Sequence, residues 1–241
     1  MAELPDHELR RLRAVADDEH HLEELVGRRL AGEPLQYLEG TAAFADLDLV
    51  VDERVLVPRP ETEGLFELAA RMVLDPKVIV DLCTGSGALA LALEKEFPDA
   101  KVYGTDISED ALDVARLNGV RTGLDVEWLR GDLFQPLPPS IEGRVDLIVA
   151  NPPYVAETEF ESLPTDVKRE PRVALISGPS GLEVLERIGA EASKWLRGGG
   201  VIVVEISETQ GETAPPLFEG IPMEVRRDLT GRDRYVVGVK P

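Results

Sequence analysis

The chain of 241 residues carries 26 basic and 46 acidic side chains, a net charge of −20, and 43% apolar residues. That length suits one α/β domain with a small appendage, and the apolar share is enough for a core. The acidic balance opposes a phosphate backbone as partner, so no nucleic acid is expected, and the single cysteine, Cys83, excludes an internal disulfide and a multi-cysteine metal site. No apolar run is long enough to span a bilayer, and the polar, helix-like start lacks an apolar signal segment. A cytoplasmic protein without a membrane contact is expected. His7, His20 and His21 lie at helical spacing near the N-terminus and read as a solvated face, so no metal is expected.

Residues 7–31 place Leu9, Leu12, Val15, Leu22, Leu25, Val26 and Leu30 at helical spacing. One or two helices are predicted, with a break near Asp17-Asp18, before Gly32 and Pro34 stop the pattern. Phe44, Leu47, Leu49 and Val51 partly alternate and predict a short hairpin. The loop at 55–59 is stiffened by Pro58, and Pro60 with the acids Glu61 and Glu63 opens a helix. From Lys77 the pattern becomes strand and helix in alternation. KVIVDL is followed by a glycine turn and the helix ALALALEKEF. KVYGTD is followed by a helix opened by the cap Ser108. VEWL and RVDLIVA are further strands, then comes a long helix over about 180–197, ended by Gly198-Gly199-Gly200. VIVVEIS is a fifth strand, and MEVRRDL with DRYVVGVK predicts a closing hairpin across Thr230-Gly231-Arg232.

The expected fold is a Rossmann-like α/β domain. It has a mostly parallel seven-stranded sheet covered by helices on both faces, an antiparallel C-terminal hairpin and a short helical N-terminal segment. The organisation expected is a helical segment at 1–40, a hairpin and linking helix at 41–75, and the main domain at 76–241.

Asp81, Gly85 and Gly87 sit where the first sheet strand turns into its helix. Glycines there let the backbone approach a ligand, and the helix N-terminus offers free N–H groups. Asp106 ends the next strand, where a carboxylate accepts hydrogen bonds from both ribose hydroxyls of a nucleoside. The turn lacks both G-x-G-x-x-G and G-x-x-x-x-G-K-[ST], which opposes a dinucleotide or a triphosphate.

Asn151-Pro152-Pro153-Tyr154 ends the apolar strand RVDLIVA, at the sheet edge where ligands sit. Two prolines fix the backbone and remove two N–H donors, Asn151 adds a carbonyl acceptor, and Tyr154 adds an aromatic wall. A rigid loop that mostly accepts suits gripping a planar –NH2 by both hydrogens. Such a grip orients a weakly nucleophilic nitrogen toward an electrophile without a strong base.

The pattern D-x-x-T-G-S-G at Asp81–Gly87 resembles the first motif of class I S-adenosylmethionine methyltransferases. By that resemblance Cys83, Thr84, Gly85, Ser86 and Gly87 wrap the methionine part of S-adenosyl-L-methionine. Asp106 with Ile107 holds the ribose, Asp132 and Leu133 of Gly131-Asp132-Leu133 meet the adenine, and Asn151 borders the cofactor. The tetrapeptide 151–154 resembles the amino-methyltransferase motif of enzymes acting on adenine N6, guanine N2 or glutamine N5. Glu33-Pro34-Leu35-Gln36-Tyr37-Leu38 and Pro58-Arg59-Pro60-Glu61-Thr62-Glu63 resemble signatures of the bacterial peptide chain release factor glutamine methyltransferases. Further matches fall at Glu170-Pro171, Gly181-Leu182, Glu205 with Gln210, and Asp228-Leu229 with Gly231 and Arg234. That resemblance implies methylation, in release factors, of the glutamine of a Gly-Gly-Gln loop, with Asn151, Pro152 and Tyr154 as catalytic residues and Asn151 to Tyr154 binding the substrate. A different protein glutamine, in a ribosomal protein, and a nucleic-acid base are the alternative acceptors. A binding module on a degenerate scaffold is opposed by the intact motifs.

Three positions depart from the family pattern. About thirty residues precede the Glu33-Pro34 segment where the family has a larger helical domain. Cys83 stands where glycine is commoner, which requires a negative φ there, and Ser180 stands where Asp is frequent. With so short a helical segment, contacts to a release factor are expected from the hairpin at 41–57 and the loop at 155–172, whose Lys168, Arg169 and Arg172 form a basic cluster.

Overall fold

The computed structural model describes residues 4–241, so residues 1–3 of the expected N-terminal segment lie outside the described residues. Helices α1 (Asp6–Val15), α2 (Glu19–Leu30) and α3 (Leu35–Glu39) come first. The break falls after Val15, where Ala16 turns extended and Asp18 caps α2 by accepting from His21 N at 2.8 Å. The three helices bury a small cluster of their own, Leu12, Leu22, Leu25, Leu35 and Leu38. Strands β1 (Thr41–Phe44) and β2 (Leu47–Val50) form the hairpin, which is shorter than expected, since residues 51–59 run on as a loop. Asn118 of the main domain holds the hairpin by accepting from Val50 N at 2.7 Å and donating to Val50 O at 3.0 Å. Helix α4 (Pro60–Met72) starts with Pro60 in its first turn and acids at Glu61 and Glu63, and ends with Arg71, a charge order that suits its dipole.

The main sheet contains β3 (Val78–Leu82), β4 (Lys101–Asp106), β5 (Glu127–Arg130), β6 (Val145–Ala150), β7 (Leu196–Glu205), β8 (Met223–Arg227) and β9 (Asp233–Val239). Their spatial order is β5-β4-β3-β6-β7-β9-β8, parallel from β5 to β7 and antiparallel at β9 and β8. Helices α5 (Ala88–Glu96), α6 (Glu109–Thr122), the short α7 (Arg172–Leu175) and α8 (Glu183–Trp195) complete the chain. Side chains alternate across the sheet. Val80, Leu82, Ile148, Ile202 and Val204 pack toward Leu185, Ile188 and Trp195 of α8. Ile79, Leu147, Val149 and Val203 pack toward Leu65 and Ala69 of α4 and Leu89, Leu91 and Leu93 of α5. Both faces are covered, so the central strands read as continuous apolar runs. Among the described residues no helix is long and apolar enough to cross a membrane.

Two boundaries differ from the sequence reading. The helix expected over 180–197 begins at Glu183, because Gly181 adopts φ +81°, which no α-helix accommodates. It ends at Trp195, and Gly198-Gly199-Gly200 lie inside β7, not after the helix. Pairing there jumps from Val145↔Leu196 to Leu147↔Val201, so the glycines form a bulge. A Cβ on Gly200 would stand 2.8 Å from the Val145 carbonyl oxygen, and only glycine allows that approach.

Candidate functional site

The chain runs from β3 outward to β4 and β5, then returns to the other side of β3 with β6. That reversal opens a crevice at the carboxyl ends of the strands. A cleft of about 1140 Å³, counted out to open solvent, lies there. The glycine turn after β3, the end of β4, the loop after β5 and the loop after β6 form its floor. The segment at 54–62 and the stretch 171–176 form its lips.

Of the residues singled out from sequence, Cys83, Thr84, Gly85, Ser86, Asp106, Ile107, Asp132, Leu133, Asn151 and Pro153 line this cleft. Asp81, Gly87, Pro152 and Tyr154 stand outside its lining. Asp81 is fully buried and serves the turn from beneath, accepting from the Thr84 hydroxyl and from Ala90 N at 3.2 Å. Burial pushes its carboxyl up to about 7. Gly87 is glycine for packing, since a Cβ would stand 2.7 Å from the Trp128 ring at φ +82°. Tyr154 does not form a wall. Its hydroxyl turns inward to donate to Glu205 Oε1 at 3.3 Å, because a largely buried phenol needs an acceptor.

The glycine turn is strongly left-handed. Gly85 has φ +55°, and a Cβ there would meet nothing within 4 Å, so its backbone faces open space. Cys83 has φ +57°, the opposite of the negative φ expected from sequence. The tight reversal out of β3 sets this torsion, and the side chain still packs against the main core cluster. A non-glycine residue in that region costs about 1–2 kcal/mol, which the surrounding turn sustains. Asp106 braces the turn from the next strand, accepting from Gly85 N and from Ser108 N, each at 2.9 Å. Each oxygen takes one backbone donor and keeps lone-pair capacity for a ligand.

Asn151 follows β6 directly. In the ladder Ala150 stands beside Val204, so the next residue on β7, Glu205, comes level with Asn151. Thr62, in the first turn of α4, fills the gap between them. Asn151 Nδ2 donates to Thr62 Oγ1 at 3.0 Å, and Thr62 Oγ1 donates to Glu205 Oε2 at 2.8 Å. Thr62 is 5% and Glu205 1% exposed. Burial pushes the Glu205 carboxyl up to about 7. With its nitrogen engaged by Thr62, Asn151 presents Oδ1 as a free acceptor. Among the described residues no loop hydrogen bond is taken by the backbone oxygens of Asn151, Pro152 or Pro153. The Tyr154 carbonyl, by contrast, accepts from Gln210 Nε2 at 3.3 Å, and Gln210 also donates to Gly181 O at 3.0 Å.

Sequence reasoning matched Thr62, Glu170, Gly181, Glu205 and Gln210 only as parts of signatures and gave them no function. The fold draws them together around the 151–154 loop and the cleft lips. Glu170 is buried, accepts from Val57 N at 2.9 Å and pairs with Arg59, joining the two lips. Pro58, matched only as part of a signature, also lines the cleft, as do Arg54, Val55, Leu56, Val173 and Arg187, which no local pattern announced.

The expected basic cluster is not free. Lys168 lies 3.6 Å from Glu161 Oε2, Arg169 donates to Ala31 O at 3.1 Å, and Arg172 sits 3.4 Å from Glu157 and over the Phe160 ring. These cations hold the loop at 155–172 to itself and to the N-terminal helices.

A methyltransferase from Pyrococcus furiosus has the same fold, with a TM-score of 0.60 at 20% identity over 89% of this chain and 96% of that one. The family model described as Methyltransferase small domain matches residues 65–167. Fold and matched domain thus define the class, a doubly wound α/β protein with a methyltransferase domain. A release factor glutamine methyltransferase from Mycolicibacterium smegmatis is 45% identical over 224 residues, 90% of this chain and 79% of that one. One from Streptomyces coelicolor is 44% identical over 84% of this chain and 73% of that one. The chain belongs to the release factor glutamine methyltransferase family.

Proposed function

We propose that this protein transfers a methyl group from S-adenosyl-L-methionine to the side-chain amide nitrogen of a glutamine in peptide chain release factors. The observation that carries the reading is the Asn151 amide, held by Thr62 with its oxygen left to the cleft.

The cleft residues fit the cofactor. Asp106 has lone-pair capacity for ribose hydroxyls, Gly85 opens its backbone to a close approach, and Ile107, 56% exposed, offers an apolar surface beside Asp106 for a flat base. Of the cleft's two carboxylates, Asp132 is paired with Arg187, while Asp106 has no cationic partner and suits a polar or cationic ligand. When bound, S-adenosylmethionine supplies an electrophilic methyl group on a sulfonium.

The chain's own part is placement. An amide nitrogen delocalises its lone pair into the carbonyl, so its attack depends on orientation more than on a base. Asn151 Oδ1 and a backbone oxygen of Asn151-Pro152-Pro153 accept the two N–H bonds of the incoming amide and hold the nitrogen toward the methyl group. The loop stays rigid because two prolines fix its φ angles and Gln210, which also donates to Gly181 O, secures its far end by donating to Tyr154 O. Methylation leaves the nitrogen acidic, and its proton passes to water. Pro171, Val173 and Ala174 at the lip give the substrate loop an apolar edge to rest on.

Mass spectrometry of a release factor incubated with enzyme and S-adenosylmethionine tests the reading. A gain of one methyl group on the Gly-Gly-Gln glutamine supports it. Methylation of ribosomal RNA or a ribosomal protein, with none on the release factor, overturns it.

A further inference from the structure

We infer that Glu205 is a positioning residue that sets which end of the Asn151 amide faces the cleft, acting through the single hydroxyl proton of Thr62. The inference rests on the amide grip proposed above and concerns how that grip is kept in its working orientation.

Thr62 Oγ1 has one proton to give. Glu205 Oε2 stands 2.8 Å away and, as a carboxylate, can only accept, so the proton points to Glu205. Thr62 can then only accept from its other neighbour at 3.0 Å, and Asn151 must turn its –NH2 inward. Oδ1 is thereby forced toward the cleft. A neutral amide oxygen and nitrogen are nearly equal in size, so sterics alone do not choose between the two flips. The direction of this hydrogen-bond chain does. The reverse chain is available when Oε2 carries a proton. Glu205 then donates to Thr62, Thr62 donates to Asn151 Oδ1, and the –NH2 faces the cleft. A primary amide arriving there meets a donor where it needs an acceptor, and the grip is lost.

The surroundings of Glu205 make this choice titratable near neutrality. Thr62 and Glu61 face it from α4, Tyr154 from the loop after β6, and Arg234 and Tyr235 from β9. Burial raises its carboxyl to about 7, while the Thr62 hydrogen bond and the Arg234 charge favour the ionised form. Tyr154 fastens the second oxygen, Oε1, at 3.3 Å, so the carboxyl cannot swing away from Thr62. The working enzyme therefore needs Glu205 ionised, although Glu205 touches neither substrate nor cofactor.

The chain contains two asparagines, Asn118 and Asn151. Full-length protein labelled in the asparagine side-chain nitrogen therefore shows two –NH2 groups by NMR, which Asn151→Ala assigns. Asn118 is an internal reference, because its –NH2 is fixed on Val50 O and Ser86 O, each at 3.0 Å. The Asn151 –NH2 signals should move with a midpoint near the Glu205 value of about 7. They should stay still across the same range in Glu205→Gln and in Thr62→Val, while Thr62→Ser restores the titration. Cofactor-free protein suffices, so the result does not depend on the acceptor's identity. In methyl transfer, Thr62→Val should lower kcat about ten-fold or more, the size of one lost hydrogen bond, with cofactor affinity unchanged, and Thr62→Ser should recover most of it. A flat Asn151 signal in the wild type, or the same titration in Glu205→Gln, overturns the inference. A wild type that shows the titration but leaves release factors unmethylated overturns the proposed substrate and leaves the orientation role standing.

Discussion

The side chains of Thr62 and Asn151, 89 positions apart in the chain, meet at 3.0 Å, and this contact turns the Asn151 nitrogen toward α4. Thr62 takes one hydrogen of the Asn151 –NH2 and holds the nitrogen on its side. What remains at the cleft is an oxygen on a loop whose two prolines donate nothing. An acceptor-rich, rigid edge beside an open nucleoside-sized cleft is the physical basis of the functional reading.

Removing that oxygen should damage turnover selectively. Asn151→Ala is expected to lower kcat about a hundred-fold, since a misplaced nucleophile costs that much. The dissociation constant for S-adenosylmethionine should change little. Single-turnover methylation beside calorimetric titration makes the comparison, and near wild-type turnover in the variant would refute the amide grip.

Asp106→Ala should act on the other ligand. It removes the carboxylate proposed to meet the ribose and also frees Gly85 N and Ser108 N. Cofactor affinity is expected to fall by roughly 1.5–3 kcal/mol, the range for hydrogen bonds to a charged group. Unchanged affinity by calorimetry would remove Asp106 from the binding site.

The left-handed torsion at Cys83 gives a stability prediction. Glycine adopts φ +57° freely, whereas a β-branched residue resists it. Cys83→Val should therefore melt lower than Cys83→Gly, with a gap on the order of 2 kcal/mol. Equal melting temperatures would mean that the turn is not left-handed at this residue.

Glu205 should also leave a mark on the pH dependence of stability. Its folded value of about 7 lies above the usual 4.5, so the folded state holds the proton more tightly than the unfolded chain. Its contribution is fully present below 4.5 and is lost as pH rises through about 7. Glu205→Gln does not titrate. The variant should gain on the wild type as pH rises across that window, by on the order of 3 kcal/mol at most. Thermal melts at several pH values check this, and a constant difference between the two proteins would contradict it.

The sequence determined the order of strands and helices, and through their alternation the covered, mostly parallel sheet. Those features follow from short continuous apolar runs such as VDLIVA and from the 3.6-residue period of stretches such as EVLERIGAEASKW, both of which are local. Asn151-Pro152-Pro153-Tyr154 was legible for the same reason, because proline and asparagine chemistry is local. The limits were local too. Gly198 to Gly200 read as a helix stop, since a bulge becomes visible only when the neighbouring strand β6 supplies the register. Cys83 was assigned the wrong sign of φ because the turn geometry is imposed by β3, β4 and α5 together. Lys168, Arg169 and Arg172 looked free because their partners Glu161, Ala31 and Glu157 are brought to them by loop folding and by the N-terminal helices. Only the tertiary structure joined Thr62 to Asn151 and Glu205. A hydrogen-bond chain has a direction, and that direction depends on which donor stands opposite which acceptor across three separate elements.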